Sequence, residues 1–362
     1  MRKNLLLILN ISLSIFLSSV TTAAEIRIGQ VVNFSGEFKK YAHAITSGIT
    51  AAIHQANELG GVKGKQLLLV TRNDNGDPTK ARAIVEELKQ QGVELFLGSM
   101  GTRSIQELLP ELQAGSITML FPWSGDNAQR SSAPRHVING PGLLQPQTEA
   151  IARYVCDTMR LKKIAFFHAD DTFSSTGVQQ LQEALKKRSI SPIAVASYNR
   201  RTLNFKKASE ALAEVEPKVV VCVGTSMPAV KLIKNLFARG LYNTTFIGID
   251  STFMVNDILA DMGATFCYTA AVPNPKTSTL PIASEYLKAL AKSDPKALPN
   301  VLSFIYYICT QLAIDALQKT TSPEELLAHL ESLRNHSIGG FTVSFDFVNR
   351  QLFGSTTYLI KD

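Results

Sequence analysis

The chain has 362 residues, 45% hydrophobic and 19% charged, which excludes a disordered or fibrous protein and supplies more apolar material than one core usually absorbs. Four cysteines are too few for a disulfide-built scaffold, and a formal charge of +7 that never gathers into a run of five or six basic residues excludes a nucleic-acid-binding stripe. In chain order, Arg2 and Lys3 lead into LLLILNISLSIFLSSV and the small residues Thr22-Ala23-Ala24. That run is short for a bilayer span and polar-interrupted, so residues 1–24 read as a cleaved secretory signal. No cysteine precedes Cys156, so the expectation is a freely diffusing periplasmic protein without a lipid or membrane anchor.

From Glu25 onward short apolar strands alternate with longer helical patterns, the mark of parallel sheets covered by helices on both faces. Strands are expected near 26–33, 66–72, 94–98 and 117–121. A second series follows Pro141, near 163–168, 193–198, 218–223, 245–249 and 266–272. The stretch from Pro281 to His336 is helical in pattern, with Pro299 suited to a first turn, and a last strand falls near 356–360. Residues 301–317 are apolar but carry Ser303, Thr310, Gln311 and Asp315 at helical intervals, which suits a core helix better than a membrane span. Cys156 and Cys309 lie in helical patterns, Cys222 and Cys267 in apolar strands, where cysteine behaves as a small buried hydrophobe; whether any of them pair stays open.

Residues 26–81 carry the most specific signal. The strand IRIGQVVN, the loop Phe34-Ser35-Gly36-Glu37-Phe38, a helix, the turn Gly60-Gly61-Val62-Lys63-Gly64-Lys65, a second strand and the turn Asn73-Asp74-Asn75-Gly76-Asp77-Pro78 follow one another in a fixed order. This order resembles the opening of type I periplasmic solute-binding proteins of the branched-chain amino-acid-binding family. The resemblance implies an α/β fold of two doubly wound parallel-sheet lobes joined by a three-segment hinge. The first lobe would comprise residues 25–140 and 275–346, the second 141–274 and 347–362, with crossings near 139–145, 272–275 and 345–353. Relatives often staple the Asp-Pro turn by a disulfide; the matching positions here are Gly76 and Gly101, so that bond is absent.

Ligands of open parallel sheets lie beyond the carboxyl ends of the strands, where amides and helix N-termini are free. By resemblance Tyr41 is an aromatic wall, although packing on the first helix serves it equally. Thr102, in Gly98-Ser99-Met100-Gly101-Thr102-Arg103, would bind a ligand carboxylate, or cap the helix alone. In Phe121-Pro122-Trp123-Ser124-Gly125-Asp126 a hydroxyl appears on Ser124 and Gly125 replaces the family's threonine, a departure that loosens the link to leucine. Trp123, the single tryptophan, would line the cleft or pack in the core. On the second lobe Phe173 matches an aromatic that closes over the ligand, Ser226 follows another strand, and Asp250 aligns with the carboxylate that neutralises an α-ammonium. If Asp250 instead faces solvent as a cap, a plain carboxylate or amide becomes the ligand.

Ser35, His168 and Asp250 form a triad in composition only, for no nucleophile elbow, phosphate loop, dinucleotide fingerprint or metalloprotease motif is present. Asp170 and Asp171 diverge as neighbours on a loop, which suits helix capping rather than a metal. No cofactor and no catalysis are expected. The resemblance implies a monomer that takes up a small amino acid or related carboxylate between its lobes and presents it to an ABC permease. The alternative is a ligand sensor docking on a receptor or cell-wall enzyme. In either case the ligand would dock on Thr102 and Ser124, and closure would bring Phe173, Ser226 and Asp250 over it.

Overall fold

The computed structural model describes residues 25–124, 130–200, 202–354 and 356–361. The signal segment expected at 1–24 and the site residue Gly125 lie outside the described residues. Two sheets organise the rest. In the first, β1 (Glu25–Val32), β2 (Gln66–Asn73), β3 (Leu95–Leu97), β4 (Thr118–Leu120) and β5 (Val137–Ile138) run parallel in the order β2-β1-β3-β4-β5.

The second sheet takes β6 (Ile164–Ala169), β7 (Ala194–Tyr198), β8 (Val219–Val223), β9 (Thr245–Gly248) and β10 (Phe266–Ala270) in the order β10-β9-β8-β6-β7. A hairpin, β11 (His336–Ile338) and β12 (Phe341–Val343), stands apart from both, and β13 (Tyr358–Lys361) joins the second sheet antiparallel to β10. The strand order reverses beside β1 in one sheet and beside β6 in the other. Those are the switch points at which crossover helices leave opposite faces and open a crevice.

The helices follow from apolar spacing. α1 (Lys39–Glu58) buries Tyr41, Ala44, Ile45, Gly48, Ile49, Ala52, Ile53 and Ala56, a stripe at three- and four-residue steps. α2 (Pro78–Gln90) starts with Pro78 at its first position and Asp77 as its cap. Two short helices, α3 (Thr102–Glu107) and α4 (Leu109–Gln113), follow β3. α5 (Leu144–Arg153), α6 (Thr172–Lys186), α7 (Lys206–Val215), α8 (Ser226–Phe237) and α9 (Val255–Leu259) serve the second sheet. α10 (Pro281–Ser293), α11 (Val301–Lys319) and α12 (Pro323–Ser332) come last; α10 and α11 pack on α1.

α11 is long and apolar enough to cross a membrane by length and composition, yet 72% of that stretch is buried inside the protein. Pro299, expected to open it, instead precedes the cap: Asn300 accepts from the Ser303 amide at 2.9 Å, because the asparagine side chain satisfies a free amide and proline has none to offer. α1 and α11 approach so closely that a Cβ on Gly48 would lie 2.1 Å from the Ser303 carbonyl oxygen.

One core cluster fills the outer face of the first sheet around Val31, Phe96 and Met119, and another the outer face of the second around Phe166, Val221 and Ile247. The largest cluster is shared. It runs from α1 and α11 through Tyr41 and Phe253 to Phe167 and Phe246, so the two lobes meet in a continuous apolar junction. All four cysteines are free thiols. At the hinge, Asn139 lies beside Gln351 as a parallel bridge, and its amide donates to the Arg350 carbonyl at 2.6 Å.

Candidate functional site in the interlobe cleft

The first lobe presents its groups through a strained turn. Phe121, fully buried at the end of β4, has φ +54°, a region that non-glycine residues avoid at a cost on the order of 1 to 3 kcal/mol. The Tyr306 hydroxyl donates to its carbonyl at 3.0 Å and holds the kink. The chain then runs beside the β3 loop, with Trp123 N–H donating to Ser99 O at 2.8 Å and Gly101 N–H to Trp123 O at 3.1 Å. Trp123 is thereby aimed into the cleft, where it stacks on Tyr41 with ring centroids 5.2 Å apart.

Tyr41 joins the lobes. It springs from α1 yet is 1% exposed, and its hydroxyl donates to Ser251 O at 2.6 Å while accepting from the Ser226 amide at 3.0 Å, both in the second lobe. Ser226 Oγ lies 3.1 Å from the same hydroxyl, and Phe253 meets the ring edge-on at 5.6 Å. Burial raises the phenol's pKa well above its ordinary value, so Tyr41 remains a hydrogen-bond donor. Toward the rim, Glu37 accepts from Thr225 Oγ1 at 2.9 Å and lies 3.7 Å from Arg200 Nε. Arg200 also pairs with Asp171 at 2.7 Å and covers the Phe38 ring at 5.3 Å.

Asp250 ends β9 and is held from within. Its amide donates to Gln147 Oε1 at 2.9 Å, and its Oδ2 accepts from Gln147 Nε2 at 3.0 Å; Thr269 Oγ1 completes the set at 2.7 Å. A Cβ on Gly142, at φ +108°, would stand 2.9 Å from Asp250 Oδ2 and 4.0 Å from Arg130 Nη2, so both groups crowd this glycine. Arg130 is 2% exposed and donates to the carbonyls of Gly140 (2.6 Å), Ser124 (3.1 Å) and Pro141 (3.1 Å), while its Nε is buried without a partner. Burial pushes the Asp250 carboxyl up to about 6, against the pull of the Ser251 amide, Arg130 and Gln147. The guanidinium's pKa is lowered by the same burial.

Between the lobes lies a cavity of about 30 Å³ lined by Tyr41, Trp123, Asp250, Phe253, Val272 and Ile305. That is room for about two waters.

The expected site residues are thus distributed unevenly. Tyr41, Trp123, Ser226 and Asp250 converge on the junction. Thr102 is the first helical residue of α3 and not its cap: Gly101 occupies the cap and no side chain caps the helix. The Thr102 hydroxyl accepts from Ser124 Oγ at 3.3 Å. Phe173 sits at the start of α6 and packs on the outer-face cluster of the second sheet. Asp171 caps α6 by accepting from the Ser174 amide at 2.8 Å, and Asp170 accepts from the Arg200 amide, so both carboxylates serve local structure. Among the described residues no cluster of metal-ligating side chains occurs. Arg130, Gln147, Glu37 and Phe253 were not singled out by sequence. Only Phe253, three residues beyond Asp250 on the same strand-to-helix junction, carried a usable signal.

The sequence profile of the periplasmic binding protein family matches residues 25–353. A Leu/Ile/Val-binding protein from Citrobacter freundii is 23% identical over 323 residues, 88% of this chain and 86% of that one. A possible leucine/isoleucine/valine-binding protein from Rhodopirellula baltica superposes with a TM-score of 0.83 at 22% identity, covering 94% of each chain. A branched-chain amino acid transporter substrate-binding protein from Streptococcus pneumoniae, solved with isoleucine, gives 0.81 at 16% identity, covering 93% of this chain and 96% of that one.

Proposed function

From the chain's membership of the periplasmic binding protein family, which its match over residues 25–353 establishes, we propose that it captures a small carboxylate-bearing solute between its lobes and delivers it to an ABC permease. The observation that carries this reading is the junction itself. Tyr41 reaches from one lobe into the strand ends of the other, beside a cavity rimmed by hinge segments at Pro141 and Ala271–Val272. A hinge with such a contact has two states, and a solute that binds one of them better moves the equilibrium.

The polar groups supplied are the hydroxyls of Thr102 and Ser124 on the first lobe and Ser226 on the second. The amino-acid names borne by relatives at 21–23% identity make amino acids and their analogues the solutes to try first. A thermal-shift screen of amino acids, aromatic acids, short amides and urea tests the proposal. A true solute at about 100 times its Kd adds about 2.7 kcal/mol of stability and raises the melting temperature. Silence across the whole panel, with no solute-dependent compaction in X-ray scattering, overturns it.

A further inference from the structure

Resting on the solute-capture reading, we infer that this cleft takes a carboxylate that carries no ammonium, because Gln147 already holds Asp250 from inside the protein and the buried Arg130 guanidinium lies near it.

The Arg130 guanidinium, 2% exposed, is held by three backbone carbonyls, neutral acceptors that leave its positive charge in place. Among the described residues, the Asp250 carboxylate lies near the same glycine, Gly142, close enough for its charge to act on Arg130 together with the Tyr306 hydroxyl, without an ion pair between them. A side chain at position 142 would strike Asp250 Oδ2 at 2.9 Å.

Gln147 supplies the second, independent observation. It closes a two-bond ring with Asp250, taking the backbone amide on its oxygen and giving its Nε2 hydrogen to Oδ2. Thr269 fixes the orientation of that amide, because its hydroxyl donates to Gln147 Oε1 and so assigns the oxygen. Oδ2 of Asp250 is thereby committed to Gln147, which ties the segment after β9 to α5 and, through Thr269, to β10.

An ammonium brought to Asp250 would have to leave water itself and settle beside the Arg130 guanidinium. Like-charge proximity and the second desolvation both oppose it. A solute lacking the amino group meets neither cost. Its apolar body faces Tyr41, Trp123, Phe253 and Ile305, which ask for no charge.

The test uses matched pairs on the full mature chain: L-leucine against 4-methylpentanoate, and L-phenylalanine against 3-phenylpropanoate, by isothermal titration calorimetry. The des-amino member is expected to bind at least tenfold more tightly in whichever pair binds. Equal or tighter binding of the amino acid overturns the inference while leaving solute capture intact. Silence of both pairs also overturns it; silence of the broad solute panel in addition removes the capture reading. In Arg130→Gln the des-amino preference is expected to shrink or invert, since the positive charge near Asp250 is then gone, and an unchanged ratio counts against Arg130. Should that variant fail to fold, Asp250→Asn gives the decision: des-amino binding within about threefold of wild type supports the inference, and loss of binding refutes it.

Discussion

The lobes touch in two places built on opposite physics. At the inner junction Tyr41, Trp123 and Phe253 stack against one another, and the Tyr41 hydroxyl exchanges hydrogen bonds with Ser226 and Ser251 in a region closed to water. At the rim, Glu37, Thr225, Arg200 and Asp171 form a chain of charge-assisted contacts that remains partly exposed. Both join the same lobes. Burial decides their strength: a buried contact sheds ordered water and leaves costly unpaired groups when broken, whereas an exposed pair is screened and rehydrated.

The largest effect should come from emptying the inner junction. Tyr41→Ala removes a fully buried ring on which Trp123 and Phe253 rest, and should lower stability by about 3 to 5 kcal/mol in urea unfolding. A loss below about 1 kcal/mol would show that the ring is not packed as described, and the contrast with the rim would vanish.

Next is the carboxylate beside that junction. In the unfolded chain Asp250 titrates near 3.8 and in the folded chain near 6, so between those values the folded state holds the extra proton. The stability this neutral form contributes is complete below pH 4 and is lost as pH rises through 6. Asp250→Asn mimics the protonated group and keeps that stability. The variant should match wild type near pH 3.5 and exceed it above pH 7, by at most about 3 kcal/mol at 1.36 kcal/mol per pH unit. A variant less stable than wild type at pH 8 would show that the attraction of Arg130 outweighs the burial of the charge.

Much of the frame was legible because it rests on local pattern. Runs such as KVVVCV and KIAFFH read as buried strands, strand-to-helix junctions are where a cleft gathers its groups, and the family resemblance singles out Tyr41 and Asp250 at two of them. β5, two residues long, carries no pattern to read. The hairpin at 336–343 did carry one, for Gly339 and Gly340, both at positive φ, are a two-residue turn signal just beyond the helical stretch that ends at His336, and it went unread. The missed site residues have a common cause. Gln147 meets Asp250 from 103 positions away, and Arg130 meets Gln351 from 221. Long-range polar pairs depend on the closed fold and leave no periodicity along the chain.

The smallest effect should fall at the rim. Glu37→Gln keeps the size of the side chain and an oxygen for the Thr225 hydroxyl, and removes only the charge facing Arg200 at 3.7 Å. Arg200 retains Asp171 at 2.7 Å and its place over Phe38, so the lost attraction is partial. With both side chains partly open to water, the change in the closing equilibrium, read by scattering or by fluorescence transfer between labelled lobes, should stay under about 1 kcal/mol. It should fade further in 1 M salt, where the screening length drops to about 3 Å. The inner junction gives the reference: Tyr41→Phe, which strands the Ser226 amide and leaves the Ser251 carbonyl with Ser226 Oγ as its side-chain donor, should shift the same equilibrium by about 1 to 3 kcal/mol and resist salt. If Glu37→Gln opened the protein more than Tyr41→Phe did, the rim and not the buried ring would be holding the lobes together.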